Sequence, residues 1–96
     1  MSSEIFHDIE RQRYILTING VTASVLDYRD SATNRAIIHT FTNPPFRGTG
    51  LAGRLVERAA DDVERDGGSR KIVPTCWYAA EWFTRHPDRA HLLADR

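Results

Sequence analysis

The sequence has a single cysteine, Cys76, and so lacks the pair that an internal disulfide needs. Its thirteen basic residues balance thirteen acidic ones, which leaves no overall charge to attract a nucleic acid or an anionic membrane. No apolar stretch has the length of a membrane span or the pattern of a signal peptide. We therefore expect a cytoplasmic protein in a reducing location, with neither nucleic acid nor membrane as its main partner.

A chain of 96 residues can bury one modest core and has no room for a separate substrate domain. We predict a single domain over residues 1–96, in which any ligand shares that core. Residues 1–9 show no persistent hydrophobic period, which indicates a mobile end or a short irregular lead-in.

Strand-forming residues dominate the first half of the chain. Residues 14–18 and 21–28 read as two strands, and Asn19 with Gly20 between them is a pair favoured in hairpin turns. Residues 36–42 form a third β-branched run. Pro44 and Pro45 end it, because proline cannot donate to a ladder.

The spacing of apolar residues changes from that of strands to that of a helix after the glycine-rich segment that begins at residue 48. Apolar residues between 51 and 63 fall on one helical face and charged residues on the other, which predicts an amphipathic helix ended by Gly67 and Gly68. Residues 71–74 then predict a short strand, residues 77–84 a second helix, and residues 87–93 a last turn. The predicted order is strand, strand, strand, helix, strand, helix.

The segment between the third strand and the first helix carries the most functional information. Glycines at a helix start expose backbone N–H groups to an anion, and this helix has no acidic side chain before Glu57. Arg47 and Arg54 lie nearby and add positive charge. A phosphate-bearing ligand, with a pyrophosphate at the helix start, is the leading interpretation.

Gly48, Gly50 and Gly53 also match G-x-G-x-x-G, the dinucleotide-binding fingerprint. That fingerprint should turn directly from a parallel strand into the helix, whereas residues 43–46 with two prolines intervene. An acidic residue should end the next strand, but residues 71–75 contain none. A P-loop is excluded directly, because no Gly-Lys-Ser/Thr follows the glycines. The predicted strand order also disfavours a nucleotide-binding domain of unrelated type.

A different pattern, Arg/Gln-x-x-Gly-x-Gly/Ala, fits Arg47, Gly50 and Ala52. Companion residues follow in order over nearly the whole chain: Asn19-Gly20, Leu26-Asp27-Tyr28-Arg29, Ile38-His39-Thr40, Val73-Pro74-Thr75-Cys76 and His86-Pro87-Asp88. On these residues the chain resembles the GNAT-type N-acetyltransferases, in particular the branch of small N-acetyltransferase-domain-containing proteins.

The resemblance implies an α+β fold, an abbreviated acetyltransferase with a mostly antiparallel twisted sheet flanked by helices. It implies transfer of an acetyl group from acetyl-coenzyme A to an unidentified amine. The strand backbone at Thr40, Phe41 and Thr42 would bind the pantetheine arm. The amides of the glycine segment would bind the pyrophosphate; its residues are Arg47, Gly48, Thr49, Gly50, Leu51 and Ala52. The family commonly has an acidic residue where this chain has Phe41.

Cys76 and His39 are the candidate catalytic residues. Cys76 is a nucleophile, an acid that protonates the departing thiolate, or a small core residue. His39 is a base for an ammonium acceptor. The alternation of the strand places it on the face of Ile37 and Phe41, where a satisfied buried histidine is an equal alternative. His86 is expected to fix the end of the second helix before Pro87.

Four aromatic side chains in the second helix are expected to be core: Trp77, Tyr78, Trp82 and Phe83. Arg85, Arg89 and Arg96 are expected to be surface charges, with Arg89 a lesser candidate for a nucleotide phosphate. No histidine pair has metal-ligand spacing, and no metal site is predicted. A non-catalytic acyl-coenzyme A binding module is the alternative function, because the chain lacks the additional helices that build the acceptor side in larger family members.

Overall fold

Five strands and two α-helices make up the part of the chain that the computed structural model describes, residues 2–67 and 69–94. The strands are β1 (Ser3–Asp8), β2 (Arg13–Ile18), β3 (Val21–Asp30), β4 (Asn34–Thr42) and β5 (Lys71–Pro74). The α-helices are α1 (Leu51–Arg65) and α2 (Trp77–Arg85), and short 3-10 helices cover Pro44–Phe46 and Pro87–Leu92.

The strands form one sheet in the order β1-β2-β3-β4-β5. The first four are antiparallel neighbours, and β5 runs parallel to β4 after the chain crosses over through α1. This arrangement confirms the predicted α+β class with a mostly antiparallel sheet.

The turn between β2 and β3 explains why the hairpin was readable in the sequence. Asn19 has φ of 50° and Gly20 has φ of 81°, both in the left-handed region. Two such residues in succession are what a type I′ hairpin turn requires, and asparagine and glycine adopt this conformation most easily.

The prediction for residues 1–9 was wrong, because Ser3–Asp8 form the edge strand β1. All six residues pair with β2, from Ser3 opposite Ile18 to Asp8 opposite Arg13. The strand escapes sequence analysis because only Ile5 and His7 are partly buried on the core side, while Phe6 between them is half exposed. An edge strand with one apolar core-facing residue has no readable alternation.

Both helices pack on the same face of the sheet. The buried side of α1 carries Leu51, Leu55, Val56, Ala59, Ala60 and Val63, and these join the sheet residues in one hydrophobic cluster. Gly53 lets α2 lie close against α1, since a Cβ there would stand 3.3 Å from the Tyr78 hydroxyl. Within the described residues no helix is long and apolar enough to cross a membrane.

Arg89 attaches the last 3-10 helix, Pro87–Leu92, to α1. Its Nη2 donates to Asp61 at 3.0 Å and to Glu64 at 3.1 Å, and its side chain is only 16% exposed. The expectation of a surface charge was therefore wrong for Arg89, and its pairing with two carboxylates explains the burial. Arg85 is exposed as expected, and Arg96 lies outside the described residues.

A polar network holds β1 and α1 to the centre of the sheet. The Tyr14 hydroxyl donates to Asp62 of α1 at 2.7 Å and accepts from Arg35 at 3.0 Å. Arg35 is almost fully buried and also makes a bidentate pair with Asp30, at 2.8 and 3.0 Å. Such a network is costly unless every member is paired, and here each of these groups has a partner.

His7 completes this network from β1. Its ring stacks on Tyr14 with centroids 4.1 Å apart, its Nε2 lies 2.5 Å from the Tyr28 hydroxyl, and Nδ1 lies 3.7 Å from Asp62. Burial lowers the pKa of His7 below 6.5; the Asp62 carboxylate opposes that shift, and Arg35 and Arg58 reinforce it. The neutral ring is thus the form that the fold stabilises.

We expect the free energy of unfolding to fall as the pH drops below about 6.5, the ordinary value for histidine. His7 has a lower pKa in the folded protein than in the unfolded chain, so protonation favours unfolding in the window beneath that value. Urea unfolding at pH 7.5, 6.5 and 5.5 measures the effect. His7→Gln should be less stable at pH 7.5 but lose less between 7.5 and 5.5; an equal loss in both proteins would contradict this account.

Candidate functional site

The sheet opens between β4 and β5. Their parallel ladder covers four residue pairs and ends at Ile37 opposite Pro74, and the Cys76 N–H then donates to the Ile37 carbonyl at 3.0 Å. From there the chain turns into α2. Among the described strands, none pairs with residues 38–42 on this side of β4, so a strand edge borders the opening.

A cleft of about 790 Å³ occupies this opening. It brings together seven of the predicted site residues: His39, Thr40, Phe41, Thr42, Arg47, Ala52 and Cys76. Four further residues line it that were not predicted to belong to a site: Ile38, Thr75, Trp77 and Tyr78. The strand end, the thiol and the start of α1, remote in sequence, thus share one surface.

A second hollow of about 230 Å³ continues the cleft toward the glycine segment. It is lined by Thr42, Phe46, Arg47, Gly48, Gly50, Leu51, Ala52 and Tyr78, four of which also line the larger cleft. Thr49 does not line either space, because its hydroxyl donates to the Phe46 carbonyl at 2.7 Å and stabilises the turn.

The backbone at the start of α1 needs its glycines. Gly48 and Gly50 have φ of 82° and 78°, in the left-handed region where a side chain is strained. A Cβ at either position would meet no atom within 4 Å, so the space beside this backbone is open to a ligand. Within the described chain the first turn of α1 carries no acidic side chain, which leaves its amides suited to an anion.

Gly53, the third glycine of the G-x-G-x-x-G match, has a structural explanation. It lies inside α1 against Tyr78 and Trp82 of α2, where a Cβ would be in tight contact with the Tyr78 hydroxyl. The sheet order and the 3-10 helix between β4 and α1 also differ from a strand that turns directly into a nucleotide-binding helix.

Arg47 stands where the cleft and the smaller hollow meet. Its Nε donates to the Thr42 carbonyl at 3.1 Å, and its guanidinium carbon lies 5.9 Å from the centre of the Phe41 ring. The side chain is exposed, so its charge is available to a ligand phosphate. Arg54 points elsewhere and donates to the Ser3 hydroxyl at 3.2 Å.

Cys76 is partly buried at the residue that precedes α2. Burial alone would raise its pKa, but the amides of Ala79 and Tyr78 and the Thr40 hydroxyl favour the thiolate, and the net effect lowers the pKa below the ordinary value. The Thr40 oxygen lies 3.6 Å from the sulfur. The neutral Cys76 thiol makes no capping hydrogen bond to α2. The Tyr78 and Ala79 amides therefore stabilise the thiolate, once it forms, more than they stabilise the thiol.

His39 does not share a face with Ile37, and that part of the prediction was wrong. The pairing of β3 with β4 shifts register, so that Tyr28 is opposite Ile37, Asp27 is opposite His39, and Ile38 is the extra residue. A bulge of one residue reverses the alternation that follows it. His39 therefore lies 61% exposed on the sheet face away from the helices, beside the cleft.

The aromatic residues of α2 divide between core and cleft. Trp82 and Phe83 are buried, which confirms the expectation for them. Trp77 is 77% exposed and Tyr78 lines both spaces, because the first turn of α2 projects past the end of β5. Their exposure could not be read from helical spacing, since that spacing locates a face but not how far it is covered.

His86 ends α2 as predicted. Its Nδ1 lies 2.7 Å from the Trp82 carbonyl, its ring stacks on the Trp82 indole with centroids 3.9 Å apart, and its N–H donates to the Phe83 carbonyl. Among the residues that the structure describes, no three metal-ligating side chains cluster. The cleft and the smaller hollow bring together a thiol, an imidazole, a strand edge and the start of a helix.

Comparison with known proteins gives the family context of this geometry. The sequence profile of the family described as GCN5-related N-acetyl-transferase matches residues 13–92, which spans β2 to the last 3-10 helix. No curated protein matches the chain. Together with the sheet order, the family match confirms the abbreviated acetyltransferase fold that the resemblance implied.

We expect the Cys76 thiol to react with iodoacetamide as an acidic cysteine, so that its rate rises with pH at a lower midpoint than that of free cysteine. Thr40→Val should move this midpoint upward, because it removes one of the groups that favour the thiolate. Thr42→Val is the matched control, since the Thr42 hydroxyl contacts Ser24 instead. A wild-type midpoint at or above that of free cysteine would refute the assignment.

Proposed function

Because this chain belongs to the GCN5-related N-acetyltransferase family, we propose that it transfers the acetyl group of acetyl-coenzyme A to an amine. The observation that carries the proposal is the opening between β4 and β5, which is continuous with the glycine segment at the start of α1. A long ligand with a phosphate group at one end and a reactive group at the other fits such an opening.

The residues present suit the two ends of this cofactor. Gly48 and Gly50 leave open space beside backbone that only glycine adopts without strain, and the amides that begin α1 favour a pyrophosphate there. The edge of β4 over Thr40, Phe41 and Thr42 offers backbone groups to the amides of a pantetheine arm, as an extended ligand uses a strand edge.

When bound, acetyl-coenzyme A would supply an activated thioester. The protein itself would contribute two groups that gain or lose a proton, the His39 imidazole and the Cys76 thiol. The Nε2 of His39 accepts a proton from the acceptor ammonium, because only the neutral amine is nucleophilic. The Sγ of Cys76 releases its proton readily, and a lowered pKa suits a nucleophile better than a proton donor.

Gly50→Glu should weaken cofactor binding while the protein still folds. A carboxylate placed roughly 4 Å from a phosphate charge costs on the order of 1–4 kcal/mol, so we expect the Kd of acetyl-coenzyme A to rise by about tenfold or more. Calorimetry measures it. The left-handed backbone at this residue adds about 1–2 kcal/mol of destabilisation, which thermal unfolding reports separately.

Gly67→Glu is the matched control for this variant. Gly67 also has a left-handed φ, of 74°, and open space around its Cβ, but it follows the opposite end of α1. The control should lose a similar amount of stability and keep its affinity. Equal affinity in wild type and Gly50→Glu would refute the pyrophosphate site, and no binding by the wild type at millimolar ligand would refute the proposed function.

Cys76→Ser separates the roles of the thiol. If Cys76 is the nucleophile, wild-type protein incubated with labelled acetyl-coenzyme A carries one labelled acetyl group by intact mass, and Cys76→Ser carries none. Turnover with an amine should fall by roughly 100-fold in the variant, while cofactor affinity stays the same. An unlabelled wild type under turnover conditions would contradict the nucleophilic role, and binding without transfer to any amine would favour an acyl-coenzyme A binding module.

A further inference from the structure

A row of charged side chains crosses the sheet face that points away from the helices. The register places Asp8 of β1 opposite Arg13 of β2, Arg13 opposite Asp27 of β3, and Asp27 opposite His39 of β4. Directly opposed residues of unlike charge stabilise an antiparallel sheet. Four strands thus contribute one residue each, a carboxylate, a guanidinium, a second carboxylate and an imidazole, and the row ends at the cleft.

The two central members of the row are held tightly. Arg13 Nε donates to Asp27 Oδ1 at 2.6 Å, and its Nη2 lies 3.4 Å from Oδ2. The Asp27 side chain is only 18% exposed. Its Oδ2 also faces Nδ1 of His39, at 3.7 Å. The carboxylate is therefore fixed by one neighbour and directed at the other.

We propose that Asp27 is a positioning residue that orients His39 and fixes its tautomer for proton transfer at the cleft. This inference rests on the proposed function. With the ring proton on Nδ1 and directed to Asp27, Nε2 carries a free lone pair and is the base for the acceptor amine. The 3.7 Å separation is longer than a hydrogen bond, but at that distance the Asp27 carboxylate already favours the tautomer that presents Nδ1–H to it.

The bulge at Ile38 is what makes this arrangement possible. Regular alternation would turn the His39 side chain toward the helices, whereas the extra residue turns it to the face of Asp27. The ionisable groups around His39 are Asp27 from β3, Arg13 behind it on β2, and Arg47 and Cys76, which line the same cleft. Of these, Asp27 is the one that makes a close pair with the imidazole.

Asp27→Asn tests the proposal through the tautomer of the His39 imidazole. Arg13 is a donor only, so it should bind the amide oxygen and leave the amide NH2 toward His39. An NH2 at that position favours an acceptor Nδ1 and hence the opposite tautomer. Long-range proton–nitrogen NMR of the full chain, without cofactor and at alkaline pH, reads the tautomer: we expect mostly Nδ1–H in wild type and mostly Nε2–H in the variant.

Steady-state kinetics of acetyl transfer give a second test of the proposal, with a lysine peptide and spermidine as the amine substrates. Loss of the carboxylate should lower kcat/KM by roughly tenfold, because the imidazole is then no longer held in the orientation that proton transfer needs. In the His39→Gln background, Asp27→Asn should cause no further loss, because its effect acts through His39. A merely structural role would lower both backgrounds equally.

Asp8→Asn is the matched control, since it removes a carboxylate from the far end of the same row. It should change neither the tautomer of His39 nor kcat/KM. A wild-type His39 that is mostly Nε2–H, or a tautomer unchanged in Asp27→Asn, overturns the proposal. If the tautomer switches as expected but the wild-type protein neither binds acetyl-coenzyme A nor transfers acetyl groups, the orientation of His39 by Asp27 is supported and the proposed function fails.

Discussion

The parallel contact between β4 and β5 is only four residues long, and the candidate site depends on that shortness. Pro74 has no N–H to extend the ladder, the Thr75 N–H turns back to the Val73 carbonyl, and the last bond across the gap comes from Cys76. The chain then leaves the sheet as α2. One constraint thus produces three consequences: a strand edge that no other described strand covers on that side, a cleft, and a cysteine at its rim.

The position of α2 is set by its packing on α1. Gly53 has no side chain, so Tyr78 and Trp82 approach the α1 backbone closely, and the start of α2 projects beside the cleft. Backbone amides at this start then favour the Cys76 thiolate. In a chain with one small core, the same helix contact serves both stability and the environment of the thiol, because few other elements are present to supply either.

The two faces of the sheet carry different kinds of polar group. On the helix side, the buried Tyr14 and Arg35 and the partly buried Asp62 are paired, and they attach β1 and α1 to the central strands. On the other face, Arg13, Asp27 and His39 form a row that reaches the cleft. The first network attaches the outer elements to the centre of the sheet, while the second ends at His39, whose side chain is exposed beside the cleft.

The sequence by itself determined the hairpin, both helices, β5 and the glycine turn that precedes α1, because these depend on local rules: residues that adopt a left-handed backbone and the periodicity of apolar residues. It also identified the family through an ordered set of motifs. Only the tertiary structure decided that residues 3–8 pair as a strand, that Arg89 is paired with two carboxylates of α1, and that Trp77 is exposed. It alone turned His39 away from Ile37 and toward Asp27, because one extra residue in β4 reverses the alternation and leaves no mark in composition or spacing.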